Sequence, residues 1–79
     1  MKCKIENITE LDGITQKPSH AQRVGRVGNI LTICIGYPMW IEYNDGHGTL
    51  MTSTIEDIKE NPQKFMVKTH NAIYLLAKL

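Results

Sequence analysis

Apolar and polar residues alternate over several short stretches of the chain, which predicts a protein built mainly from β-strands. Residues 2–6 alternate between charged and apolar side chains, and residues 39–43 place Trp40 and Glu42 on the same side. A period of two sends successive side chains to opposite faces of a strand. If the other side of 39–43 is core, Trp40 is left at least partly exposed.

Residues 23–43 form the longest extended stretch, which we interpret as two strands joined by the corner Gly36-Tyr37-Pro38. Residues 30–35 are apolar on both faces. Such a strand is central in its sheet, or its second face meets another element or another subunit. Gly25 and Gly28 within the stretch indicate a bulge, a sharp bend or the close approach of another backbone.

A hairpin is predicted at residues 44–48, because Asp-Gly between two apolar strands is a strong turn signal. After the returning strand, Ser53 and Glu56 have the spacing of a capping box, in which the serine caps a helix start and the acid reaches back to it. The pattern predicts one short helical turn over residues 53–58.

Two further apolar stretches, residues 65–69 and 72–77, are close enough in sequence to form an antiparallel hairpin. Residues 14–22 are polar and contain Pro18, which predicts a long loop. There is no internal repeat. Residues 1–79 are therefore predicted to form one domain, a small antiparallel barrel of five to six strands with one short helical turn.

Composition supports an ordered but small domain, with 42% apolar and 22% charged residues in 79 positions. The net charge is +1, with excess positive charge in residues 1–41 and 61–79 and excess negative charge in residues 42–60. The totals do not indicate a strongly basic nucleic-acid-binding face. A domain of this size has little stability to spare, so a homodimer or an obligate partner remains open.

The residues that most often carry chemistry do not form a known catalytic or metal-binding pattern. Cys3 and Cys34 are too few for a disulfide scaffold, and no His or Cys pair has ligand spacing. Asp45, His47 and Ser53 do not resemble a nucleophile elbow. Because these patterns are missing, we expect a non-catalytic protein that needs no cofactor. With no signal peptide and no long apolar span, we expect it to be cytoplasmic and not to enter a membrane.

Three segments of this chain resemble the SH3-like barrel pattern of KOW and Tudor-type domains. They are the glycine-marked residues 25–30, the Pro-to-Asp-Gly hairpin of residues 38–46 and the Ser-x-Ile turn at residues 53–58. Residues 67–76 are similar to the last hairpin of short uncharacterised proteins of phages and mobile elements in Gram-positive bacteria. The resemblance implies an SH3-like barrel, and such barrels bind proteins, nucleic acids and small ligands alike.

One set of aromatic and basic residues is the candidate binding site, because aromatics and arginines on one surface stack bases or anchor a protein partner. The set consists of Arg23, Arg26, Tyr37, Trp40, Tyr43 and Lys68. The alternative is that Tyr43 is core and the arginines are merely solvated. Gly25-x-x-Gly28 has the spacing of a nucleic-acid backbone clamp, but its position in a strand favours a barrel corner.

The first functional hypothesis is a protein-binding module that acts by docking on another protein. The resemblance of residues 67–76 implies a narrower version, an inhibitor of a bacterial defence system that occludes a nuclease or sequesters a nucleotide. The alternative hypothesis is a small barrel that binds single-stranded nucleic acid through Arg23, Arg26, Trp40 and Lys68.

Overall fold

Six antiparallel strands close into a barrel in the computed structural model, which describes residues 1–79. Each strand pairs with the next one in sequence, and β6 pairs with β1 to close the ring. The elements are β1 (Lys2–Thr9), a short 3-10 helix (Pro18–Arg23), β2 (Val27–Thr32), β3 (Pro38–Tyr43), β4 (Thr49–Glu60), β5 (Lys64–Thr69) and β6 (Ile73–Lys78). The predicted class, a small mainly β antiparallel barrel with one short helical turn, is confirmed.

The long strand β4 runs from one side of the closed barrel to the other, because it changes partner halfway along its length. Residues 49–54 pair with β3, whereas residues 55–60 pair with β5. We call β2, β3 and the first half of β4 the front sheet. We call β1, β6, β5 and the second half of β4 the rear sheet. A bulge in the β4–β5 pairing lies between Ile55 and Asp57, where the partner changes.

The core lies between the two sheets and consists of the inward side chains of all six strands. Ile41, Val67 and Leu76 are fully buried there, as the alternation predicts. Burying such side chains contributes about 1.5–3 kcal/mol each to folding. No buried side-chain nitrogen or oxygen lacks a hydrogen-bond partner. Thr52, for example, accepts the backbone N–H of Met39 at 3.0 Å.

Gly28 allows β2 to cross very close to β3. A Cβ atom added there would collide with the backbone carbonyl of Glu42 and lie 2.8 Å from Cγ2 of Ile41. The predicted close approach of another backbone is therefore confirmed at Gly28. Glycine is favoured at position 25 for a different reason. The space around Gly25 is open, but its φ of +89° is a conformation that other residues rarely adopt.

The helical turn lies at Pro18–Arg23, and all of it but Arg23 falls in the predicted loop of residues 14–22. The prediction of a helical turn at residues 53–58 is wrong, because these residues belong to β4. Ser53 caps no helix: its hydroxyl accepts the backbone N–H of Asn71 at 3.2 Å, which holds the bend of β4 beside the β5–β6 turn. No helix in the structure has the length and apolar character required to cross a membrane.

Candidate interaction surface

An apolar groove lies on the outer side of the front sheet. Trp40 is 40% exposed there, and its cross-strand partner Met51 is 56% exposed. Thr32 faces Trp40 from β2. Tyr37, which is 62% exposed, and Pro38 complete a groove of about 280 Å³. The alternation of β3 and β4 produces this groove, because the residues on either side of Trp40 and Met51 point into the core.

Further exposed apolar residues belong to the end of β2 and to the β2–β3 connection. An irregularity in the β2–β3 pairing between Ile30 and Thr32 interrupts the alternation there, and Leu31 is exposed. Ile35 is also exposed, while Ile33 packs partly against the core. The predicted two-sided burial of residues 30–35 is therefore wrong for this chain alone. We define the front face as Asn29, Leu31, Thr32, Ile35, Tyr37, Pro38, Trp40, Glu42, Thr49 and Met51.

The front face is almost free of charge. Residues 27–55 contain two charged side chains, Glu42 and Asp45. Asp45 pairs with Arg26 at 3.1 Å. Glu42 projects outwards from β3 into a depression of about 490 Å³, which adjoins the groove. Asn29, Tyr43, Asn44, Gly46, Gly48 and Thr49 also line this depression.

Of the six predicted site residues, Tyr37 and Trp40 lie together in the groove. Tyr43 is only 7% exposed and belongs to the core, so the alternative interpretation holds for it. Arg26 covers Tyr43, with its guanidinium carbon 3.6 Å from the centre of the ring. The backbone N–H of His47 and the Arg26 charge hold the pKa of Asp45 below its usual value.

Arg23 and Lys68 lie elsewhere on the barrel. Arg23 ends the 3-10 helix and donates to the hydroxyl of Tyr74 at 2.8 Å. Burial raises the pKa of Tyr74 despite this cation. Lys68 lies on β5 between Asp57 and Ile73, in the rear sheet. The prediction that all six residues share one surface is wrong, because it did not account for which strands lie beside each other in the barrel.

Several residues of the front face were not identified as candidates from the sequence, above all Met51. The signal was present, since the inward positions Leu50 and Thr52 flank it on β4. No group of three or more His, Cys, Asp and Glu side chains is arranged to hold a metal ion. Cys34 is a free, exposed thiol, whereas burial raises the pKa of the Cys3 thiol.

The geometry defines a small antiparallel β-barrel with an exposed apolar groove beside the carboxylate of Glu42, which has no ion-pair partner. No family model, curated protein or solved structure matches the chain.

Proposed function

We propose that the protein is a non-catalytic protein-binding module whose contact surface is the front face. The observation that carries the proposal is the exposed cluster of Tyr37, Trp40 and Met51 on a barrel whose core is already closed. Contiguous exposed apolar surface marks interaction sites, and Trp, Tyr and Met are enriched at protein interfaces. Trp and Tyr are also among the residues that most often dominate binding energy.

The charges of the front face favour a protein over a nucleic acid as the ligand. The face contains no Lys or Arg, and binding a phosphate backbone depends on such cations. Arg23 and Arg26, which the nucleic-acid hypothesis requires, are engaged by Tyr74 and Asp45. The resemblance to proteins of phages and mobile elements that we expect from the sequence of residues 67–76 motivates a narrower version. In that version the partner is a protein of a bacterial defence system, such as a nuclease whose site the module covers.

The proposal is tested by selecting binders for the immobilised protein from a displayed library of random peptides. Replacing Trp40 or Met51 by alanine should weaken the selected binders by about 30-fold or more, the size of a binding hot spot. Trp40 is the only tryptophan, so its fluorescence reports binding directly in the wild type and in Met51→Ala.

The matched control is Met66→Ala, which removes a methionine of the rear sheet that is 44% exposed. It should leave the affinity unchanged. Melting curves of all three variants establish that each remains folded. Binders that lose affinity equally in Met51→Ala and Met66→Ala, or in neither, would contradict the assignment of the front face.

A further inference from the structure

Glu42 forms no ion pair and no side-chain hydrogen bond within the molecule, and no basic residue lies opposite it in the sheet. Four of the acidic side chains form ion pairs, with Lys17, Arg26, Lys64 and Lys78, and Glu56 lies 3.3 Å from Nδ1 of His70. Asp12 accepts hydrogen bonds from Thr15, and Asp57 lies directly across from Lys68 on β5. The cross-strand neighbours of Glu42 are the neutral residues Asn29 and Thr49.

The position of Glu42 relative to the groove follows from the strand register. Glu42 and Trp40 are two residues apart on β3, so they point to the same side at a spacing of about 7 Å. They belong to adjacent rows across the sheet. One row is Asn29, Glu42 and Thr49, and the other is Thr32, Trp40 and Met51. An apolar row with a groove thus lies beside a polar row with one negative charge.

An extended peptide has the same repeat as these two rows, because its side chains at positions i and i+2 point to one side about 7 Å apart. A large apolar side chain at one position fills the groove of Trp40 and Met51, while a basic side chain at the other reaches the carboxylate of Glu42. Arginine suits this place best, since its guanidinium forms two parallel hydrogen bonds to a carboxylate.

We propose that the ligand of the front face is an extended segment of a partner protein that carries a large apolar residue and an arginine or lysine two positions apart. This inference rests on the proposed function and names the chemistry of its partner. The apolar contact supplies most of the affinity, and the pair with Glu42 at the edge of the groove selects the partner and fixes its register.

The test uses peptides selected against the wild-type protein and the variants Glu42→Lys and Asp57→Lys. Selected peptides should share an apolar residue and a basic residue at a spacing of two. Glu42→Lys should weaken them about 10-fold or more, and a peptide with glutamate in place of its basic residue should recover most of that loss on the variant. Asp57→Lys makes the same change in charge on the rear sheet and should have no effect.

The outcomes separate this inference from the function on which it rests. Peptides that depend on Met51 but bind Glu42→Lys unchanged, or that lack a basic residue, overturn the inference and leave the binding module standing. Failure to select any peptide that depends on Met51 counts against both. Met66 and Lys68 are an apolar and a basic residue two positions apart on β5, so β5 of a second copy could occupy the front face. Light scattering that shows a dimer, dissociated by Lys68→Glu, would identify this second copy as the ligand. That result would also overturn the inference.

Discussion

The two outer faces of the barrel are built by the same alternation of strand residues, yet they differ completely in what they present to solvent. The front face has Glu42 as its one charged side chain. The outward positions of the rear sheet include Lys2, Lys4, Glu6, Asp57, Lys59, Glu60, Lys64 and Lys68. Since both faces belong to one small domain, solubility alone does not explain the apolar side.

Contiguity, rather than exposure, distinguishes the two faces. Met66 of the rear sheet is nearly as exposed as Met51, but its apolar neighbour is the partly buried Leu75, and the groove that these two line also contains Lys59, Glu60 and Lys64. Single apolar residues on a surface are ordinary, whereas connected ones indicate a contact site. Lysine stems cover apolar surface at the rear as well, since Nζ of Lys78 lies 4.6 Å from the centre of the Phe65 ring.

The largest effect is expected from Gly28→Ala, which tests whether the front sheet depends on the close crossing of β2 and β3. The new methyl group would meet the Glu42 backbone, which has no room to move within the sheet. Overpacking of this kind costs about 3 kcal/mol of the free energy of unfolding. Urea denaturation measures the loss.

Gly25→Ala is the matched control, because the added methyl group there meets nothing within 4 Å. Gly25→Ala should therefore lower the free energy of unfolding only through backbone strain at its positive φ, by about 1–2 kcal/mol. An equal or smaller loss for Gly28→Ala would show that the front sheet relaxes freely at this crossing.

A smaller effect is expected at alkaline pH, where the inner side of the rear sheet titrates. Burial raises the pKa of Cys3 above its ordinary 9.0 and the pKa of Tyr74 above 10.0. The unfolded chain therefore ionises first. The contribution of these two groups to the free energy of unfolding is complete below their ordinary pKa values. It is lost as the pH rises through their raised pKa values in the folded protein.

Denaturation curves at a series of pH values from about 8 to about 11 measure this fall. Cys3→Ala should flatten the part of the fall that begins near pH 9.0, while Cys34→Ala, at an exposed thiol, should leave it unchanged. A fall that is the same in all three proteins would exclude the Cys3 thiol as its cause.

The smallest effect is expected from the ion pairs of the rear face. Lys64 lies 2.9 Å from Glu6 across the barrel surface, and both side chains are partly exposed. Glu6→Gln should lower the free energy of unfolding by less than about 1 kcal/mol, because solvent and salt screen such pairs. Comparison of denaturation at low and high salt measures it. A loss that persists unchanged in high salt would contradict an ion-pair origin.

The fold was largely predictable, because the alternation of apolar and polar residues identifies the inward positions of β1 and β3. The prediction failed where a distant partner decides the structure. Ser53 and Glu56 have the local pattern of a helix start, but β5 pairs with this segment, and Glu56 meets His70 instead. Pro18 is a favourable first residue of a helix, a signal that the polar composition of its segment concealed.

The candidate site was predictable only in part. The exposure of Trp40 follows from the burial of Met39 and Ile41 on either side. The contribution of Met51 depends on the register of β4 against β3, which no local pattern specifies. Because the sequence does not specify how the strands pair, Arg23 and Lys68 were grouped with Trp40, although they lie on other parts of the barrel.

The shared strand β4 has a consequence for how the molecule responds to a partner. One continuous backbone supplies hydrogen bonds to the front sheet through its first half and to the rear sheet through its second half. A change in the geometry of one sheet at β4 therefore acts on a strand that the other sheet also uses. We therefore expect the amide protons of β5 to exchange more slowly when a ligand occupies the front face, which hydrogen exchange would measure.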